Sequence, residues 1–332
     1  MMAPFRARER PIRRGREAMR QFRTVAIAGG GTMGVDIALT FARAGRSVHI
    51  VEPREAGRAA IPARLAKVAA EMGDAGLERL IAVHADLAAV PWPDADLFIE
   101  AVTENLAVKR ELFAKVEALA RPDALLASNS SSFPIGAIAE GLARPQRCHN
   151  LHYFMPAHLV PLVEIACGPK SDLGLAQDLA QLMRDTGKVP VVIRKDLPGF
   201  LANRLQHALA REAYALAESG AASLEDIDNA VRFGFGFRYL AAGPVLQKDH
   251  AGLDIHSAAA ATMYPTLCND AKPAAILTDL VAQGRIGMKA GSGFYDWTPE
   301  SIAREKARYE GALKAALAIL AADLPPIKPL DR

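Results

Sequence analysis

The sequence predicts an α/β chain in which a doubly wound parallel sheet is followed by a mostly helical C-terminal domain. Three observations predict it. Short apolar runs alternate with helical patterns through roughly the first half of the chain, the signature of a parallel sheet covered by helices. A glycine-rich turn joins the first such run to the first helical pattern. From Pro198 onward the pattern changes to long helical stretches with few strand candidates. The length of 332 residues suits two domains, each with its own core. The boundaries expected are a leader over 1–22, a sheet domain over 23–196 and a helical domain over 197–332.

The elements follow in order. Residues 24–28, Thr-Val-Ala-Ile-Ala, are β-branched and apolar without alternation, as in a strand buried on both faces. Residues 35–44 form a helical pattern closed by Gly45, and residues 47–51 form a second strand ending at Glu52. Strands are expected at 80–83, 96–100 and 124–128, with a helix over 106–120 and further strands within 147–165. Helices are expected over 199–218, 224–231, 243–261, 274–283 and 302–322.

Charge and composition exclude several classes. The formal net charge is +3, but residues 1–23 hold eight arginines and two acids, a local +6 that leaves −3 for the rest. A nucleic-acid binder carries its basic charge on the folded body, so no nucleic-acid partner is expected. The Arg-rich leader reads as a disordered extension or a misassigned start with the true one near Met19, as a targeting segment, or as a binding arm. No apolar run approaches the ~20 residues that span a bilayer, so no membrane association is expected. Cys148, Cys167 and Cys268 show no CxxC spacing, which points to a reducing cytoplasm rather than a disulfide framework. His149 and His152 are three apart, which on a strand places them on opposite faces, so no metal site is expected.

The turn carries the first chemistry. Gly29-Gly-Gly31-Thr32-Met33-Gly34 fits GxGxxG, lies between strand and helix, and is followed by an acid, Glu52, 23 residues after Gly29. That is the Rossmann dinucleotide pattern. Gly29 permits the tight turn, Gly31 lets the backbone approach a pyrophosphate, and Gly34 lets the helix pack on the strand. The helix N-terminus offers N–H groups and partial positive charge to the phosphates. Glu52 would accept from the ribose hydroxyls and repel a 2′-phosphate, favouring NAD, although Arg54 stands nearby.

Three further stretches place polar residues in apolar surroundings: Ala127-Ser-Asn-Ser-Ser-Ser132; Asn150-Leu-His-Tyr-Phe-Met-Pro156 with Leu162-Val-Glu164; and Lys195-Asp-Leu-Pro-Gly-Phe-Leu-Ala-Asn203. With these motifs the chain resembles the L-3-hydroxyacyl-CoA dehydrogenase family from Thr24 to about Trp297. The resemblance implies an NAD-dependent oxidoreductase that interconverts a 3-hydroxyacyl and a 3-ketoacyl group. It implies His152 as general base, Glu164 as its orienting partner, and Ser131 and Asn203 as donors to the substrate oxygen. It further implies cofactor contacts at Glu104, Lys109, Ser131 and Lys289, beside the Gly29, Gly31, Thr32, Met33, Gly34 and Glu52 of the turn. The other serines, Ser128, Ser130 and Ser132, are expected to be loop and cap residues.

Two departures bear on the substrate. Met155 stands where the family commonly has Asn, and only 27 residues separate Glu52 from Leu80, fewer than the helical tail with which the family grips coenzyme A. Gly234-Phe-Gly-Phe-Arg-Tyr239 resembles the branch that acts on free hydroxy acids, which includes gulonate, carnitine and vitamin B6-breakdown dehydrogenases. The expectation is a 3-hydroxyacyl-CoA substrate, with a free hydroxy acid as the alternative and a non-catalytic NAD-binding structural protein as the alternative from another class. The family resemblance also implies a homodimer; Leu201, Leu205 and Leu209 give the first C-terminal helix an apolar stripe that suits a contact or internal packing equally.

Overall fold

The computed structural model describes residues 20–74 and 76–330, so the expectations for residues 1–19 of the leader lie outside the described residues. The described chain divides into two compact units, one running to Pro198 and rejoined by the segment from Pro325, the other Gly199–Leu324.

The first unit is an eight-stranded sheet. In chain order its strands are β1 (Thr24–Ala28), β2 (Ser47–Val51), β3 (Ile81–His84), β4 (Leu97–Glu100), β5 (Leu125–Ser128), β6 (Cys148–Tyr153), β7 (Leu162–Cys167) and β8 (Val189–Ile193). They lie side by side as β3-β2-β1-β4-β5-β6-β7-β8. Every neighbouring pair is parallel except β6 with β7, which is antiparallel. The helices are α1 (Thr32–Arg43), α2 (Glu55–Glu71), α3 (Leu106–Leu119), α4 (Ile135–Ile138) and α5 (Leu173–Asp185). The strand order reverses between β1 and β4, and in such sheets ligands bind beyond the carboxyl ends of the strands at that point.

Strand alternation splits the core into two layers. Val25 and Ile27 of β1 pack with Ile37, Phe41, Ile61, Leu179 and Met183 on one face. Ala26 and Ala28 pack with Phe98, Phe113, Val116 and Ile138 on the other. Both faces are covered, which is why the strands read as continuous apolar runs.

Two elements carry no clear sequence signal. Helix α2 holds Pro62 in its interior, which masks an apolar side of Ile61, Leu65, Val68 and Ala69. Strand β8 holds Pro190, which weakens its pattern. Helix α5 was not among the expected elements although its signal is present, an Asp172 cap followed by apolar Ala176, Leu179, Ala180 and Met183. Arg46, which reads as a solvated edge residue, is instead buried and donates to the carbonyls of Ala44 and Lys328.

The second unit contains α6 (Ala202–Glu218), α7 (Leu224–Asn229), α8 (Leu246–Ala251), α9 (Leu253–Met263), α10 (Ala275–Ala282) and α11 (Pro299–Leu320). Helix α7 runs on into a wide-turn helical segment, Ala230–Gly236, over the Phe-Gly-Phe-Gly stretch. Helices α6, α9 and α11 bury no residue at all. No described helix is long and apolar enough to cross a membrane.

Candidate active site

The turn after β1 is shaped to hold an anion. Gly29 adopts φ +108°, and a Cβ there would lie 2.4 Å from the Ala101 carbonyl oxygen. A Cβ on Gly34 would lie 1.8 Å from the carbonyl oxygen of Gly29, so only glycine lets α1 start this close to the turn. Nothing lies within 4 Å of the Cβ position of Gly31, which leaves an open cradle. Helix α1 has no side-chain cap and no acid in its first turn, whereas α3 and α5 are capped by Asn105 and Asp172. The first N–H groups of α1, at Thr32 and Met33, therefore face outward with the positive end of the helix dipole behind them. A pyrophosphate is the group this arrangement fits.

Glu52 closes the turn from β2. Its carboxylate accepts from the Gly30 N–H at 3.1 Å and from Arg54 through the backbone N–H, Nε and Nη2 at 3.1, 2.9 and 3.2 Å. The hydrogen-bonded Arg54 guanidinium, aided by the two backbone N–H groups, holds the carboxyl below its usual range against the effect of burial. A depressed folded-state pKa means that the stabilisation is complete above the unfolded-state value of about 4.3 and is lost as pH falls through the lower folded value. Glu52→Gln is therefore expected to lower the urea midpoint at pH 7 and to converge on the parent as pH falls through the lowered folded-state value; a loss that stays constant as the pH is lowered would contradict this.

The Ser131 loop leaves β5 over a buried charge network. Glu100, the fully buried last residue of β4, accepts from Ser128 Oγ and Lys109 Nζ, both at 2.6 Å, and from the Val102 N–H at 2.8 Å. Lys109, 1% exposed, also lies 3.0 Å from Glu104. Glu104 in turn accepts from Ser130 Oγ at 2.5 Å and the Ser132 N–H at 3.1 Å. Glu104 and Ser131 are exposed, while Lys109 is enclosed by its two carboxylates. The Lys109 ammonium is thus directed at Glu100 and Glu104 and not at open space. Ser128 and Ser130 accept from the backbone N–H groups of Ser130 and Phe133, as loop-capping residues do, and in addition donate to Glu100 and Glu104. Glu100 was missed by sequence reasoning; its signal was a single acid ending the otherwise apolar Leu97-Phe-Ile run.

His152 and Glu164 are directly paired residues of the antiparallel strands β6 and β7, so their side chains share one face. Nδ1 of His152 lies 2.9 Å from Oε2 of Glu164, and both side chains are buried. Asn129 Oδ1 accepts from the Tyr153 N–H at 2.9 Å, tying the Ser131 loop to the strand that carries His152. The Phe154 ring packs 4.5 Å from the imidazole. A neutral imidazole that donates Nδ1–H to a carboxylate has its lone pair on Nε2, and the carboxylate stabilises the imidazolium formed when Nε2 takes a proton. His149, on the opposite face of β6, meets the Asp172 carbonyl at 3.0 Å. Asn203, in the first turn of α6, and the exposed Lys289, in the turn Met288–Ala290, belong to the second unit.

The geometry has close relatives. A model of the 3-hydroxyacyl-CoA dehydrogenase NAD-binding domain matches residues 24–197, and a model of the C-terminal domain of the same enzymes matches residues 199–297. The chain is 32% identical to the 5-formyl-3-hydroxy-2-methylpyridine 4-carboxylate 5-dehydrogenase of Mesorhizobium japonicum, over 89% of this chain and 98% of that one. It is 35% identical to the human mitochondrial hydroxyacyl-coenzyme A dehydrogenase, over 82% and 90%. A solved structure of a 5-formyl-3-hydroxy-2-methylpyridine 4-carboxylic acid 5-dehydrogenase, described as an NAD+-dependent dismutase, superposes with a TM-score of 0.84 at 29% identity, over 90% of this chain and 99% of that one. The anion cradle, the acid that follows it and both matched domains have one reading: the chain is an NAD-dependent oxidoreductase acting on CH–OH groups and belongs to the 3-hydroxyacyl-CoA dehydrogenase family.

Proposed function

We propose that the chain interconverts a 3-hydroxyacyl and a 3-ketoacyl group, with His152 as the proton-transfer residue. The observation that carries this reading is the buried 2.9 Å His152–Glu164 pair on adjacent strands, beyond whose neighbours lies the dinucleotide cradle. Oxidation of a secondary alcohol releases a proton from oxygen and a hydride from carbon; NAD, when bound, supplies the hydride acceptor. His152 Nε2 takes the proton, Glu164 balances the imidazolium, and in reduction the same imidazolium returns the proton. Ser131 donates to the oxygen as charge develops on it; the same role for Asn203, which lies in the second unit, rests on the family resemblance alone. Gly29, Gly31, Thr32, Met33 and Gly34 would hold the pyrophosphate, and Glu52 would accept from the adenosine ribose. Glu104, held by Lys109, would add a cofactor contact; that of Lys289, in the second unit, rests on the family resemblance alone.

The acyl carrier has two readings. Coenzyme A follows from relatives such as the human hydroxyacyl-coenzyme A dehydrogenase. A free carboxylic acid is favoured by the 0.84 superposition on an enzyme named for a pyridine carboxylic acid, and by a connector that holds one helix, α2, before the turn leading to β3. NADH absorbance with acetoacetyl-CoA, a free 3-oxo acid and a pyridine carboxylate aldehyde separates them. Turnover is expected with at least one of the three. Tight NADH binding without turnover of any would favour the non-catalytic alternative and overturn the reading.

A homodimer built through the second unit supports the same reading. Leu205 is 64% exposed, Phe233 67%, Val245 81% and Ile319 65%, and Leu205 and Leu209 of the expected stripe lie exposed on α6. Apolar surface on that scale marks an interface. Light scattering is expected to give twice the chain mass, and Leu205→Glu to shift the population toward monomer; a monomeric parent would contradict the dimer. A cytoplasmic location accords with three unpaired cysteines, two of them buried.

A further inference from the structure

The loop between β6 and β7 joins the two members of the proposed proton relay, and it is fastened to the dinucleotide-binding helix by a buried cluster of charges. Asp36 lies on α1, two residues after Gly34, with no exposed surface. Its Oδ2 meets His158 Nδ1 at 2.9 Å, and its Oδ1 accepts from Arg64 Nη2 of α2 at 2.7 Å. His158 Nε2 lies 3.6 Å from Glu71 at the end of α2. On either side of His158, the buried Lys188 ammonium donates to the carbonyls of Ala157 at 2.5 Å and Val160 at 2.9 Å. Burial, with the nearby Arg43 charge, pulls Lys188 down to about 8, against an opposing effect of Asp36. Three points of one short connector are thus gripped by charged groups.

We propose that the Asp36–His158 pair is a positioning device that makes the His152–Glu164 hairpin and helix α1 one rigid piece. This rests on the reading of His152 and Glu164 as the proton relay. The argument is geometric. Helix α1 would hold the pyrophosphate at its uncapped N-terminus, so its position would set that of the bound cofactor. His152 ends one side of the connector and Glu164 begins close to the other, while Phe154, two residues beyond His152, packs on the imidazole. An Asp buried in a helix needs compensating partners. Asp36 finds one on α2 and the other on the connector, so its pairing ties the connector to α1. Neither Asp36 nor His158 contributes to the glycine turn, so the pair acts on alignment and not on cofactor affinity. Misplacement of reacting groups by about 1 Å can cost on the order of a hundredfold in rate.

The test compares His158→Phe, His158→Asn and Asp36→Asn in the full chain, with kcat expressed per NADH-binding site counted by fluorescence titration. His158→Phe is expected to lower kcat about ten- to hundredfold while the NADH Kd stays within about twofold. His158→Asn, whose amide N–H can take the place of Nδ1–H, is expected to recover most of the loss. Asp36→Asn, which keeps the side-chain shape, gives the same split if the Phe variant does not fold. An unchanged kcat per binding site in His158→Phe and Asp36→Asn, or a loss that the Asn variant at 158 does not recover, would overturn the proposal. His152→Gln run in parallel reports on the relay itself, so a failure of the relay is seen separately.

Discussion

His152→Gln lowers turnover by about 10²- to 10⁴-fold and leaves NADH binding within about twofold of the parent. The magnitude is that of a positioned general acid–base group. Glutamine keeps polarity and approximate size but cannot accept and return a proton near neutral pH. The Glu164 carboxylate, 2.9 Å from the imidazole, is then left with an amide in place of an imidazolium. Because the ring lies on β6 and the cradle lies after β1, the cofactor contacts of the turn are untouched by the change. Steady-state kinetics with a 3-oxo substrate, together with NADH titration, check both halves. Turnover within about threefold of the parent would remove His152 from the proton-transfer role.

Lys109→Met has the largest expected effect on stability, about 3–5 kcal/mol, the usual cost of breaking a buried pair. The ammonium is 1% exposed and lies 2.6 Å from the fully buried Glu100 and 3.0 Å from Glu104. Methionine fills similar volume, so the loss measures the stranded Glu100 carboxylate and not a cavity. Adding Glu100→Gln to Lys109→Met is then expected to restore part of the loss, because a buried amide costs less than an unpaired charge. Urea denaturation of parent, single and double variants gives the comparison. A single-variant loss below about 1 kcal/mol would mean that the network holds nothing in place. Activity should fall with stability, since the same network carries Ser128 and Ser130 on either side of Asn129 and so sets the course of the loop bearing Ser131.

The parallel sheet was legible because a strand buried on both faces is mostly apolar, as over residues 25–28 and 97–99. The dinucleotide turn was legible because its chemistry is carried by backbone, and backbone demands leave glycine at fixed spacing. The paired His152 and Glu164 were visible through their motifs, but the reason for their meeting is strand register, which a sequence does not display. Helix α2 was hidden by an interior proline, and β8 by Pro190. Glu100, Asp36 and His158 were hidden for another reason. A buried charge is defined by its partners, and these lie 9 to 122 residues away in sequence. Conversely, the family resemblance implies Lys109 as a cofactor contact, and its enclosure between Glu100 and Glu104 was not visible in the sequence.

The central claim is that this chain moves a hydride between NAD and the carbon bearing the substrate oxygen, with the proton handled by His152. The most direct measurement is transfer from the two stereospecifically 4-deuterated forms of NADH to a 3-oxo substrate, read by proton NMR of the product. Deuterium at the carbinol carbon from one form only, at a rate that collapses in His152→Gln, is the predicted result. A reduced product without deuterium from either form, or deuterium transfer that proceeds equally well in His152→Gln, would contradict it.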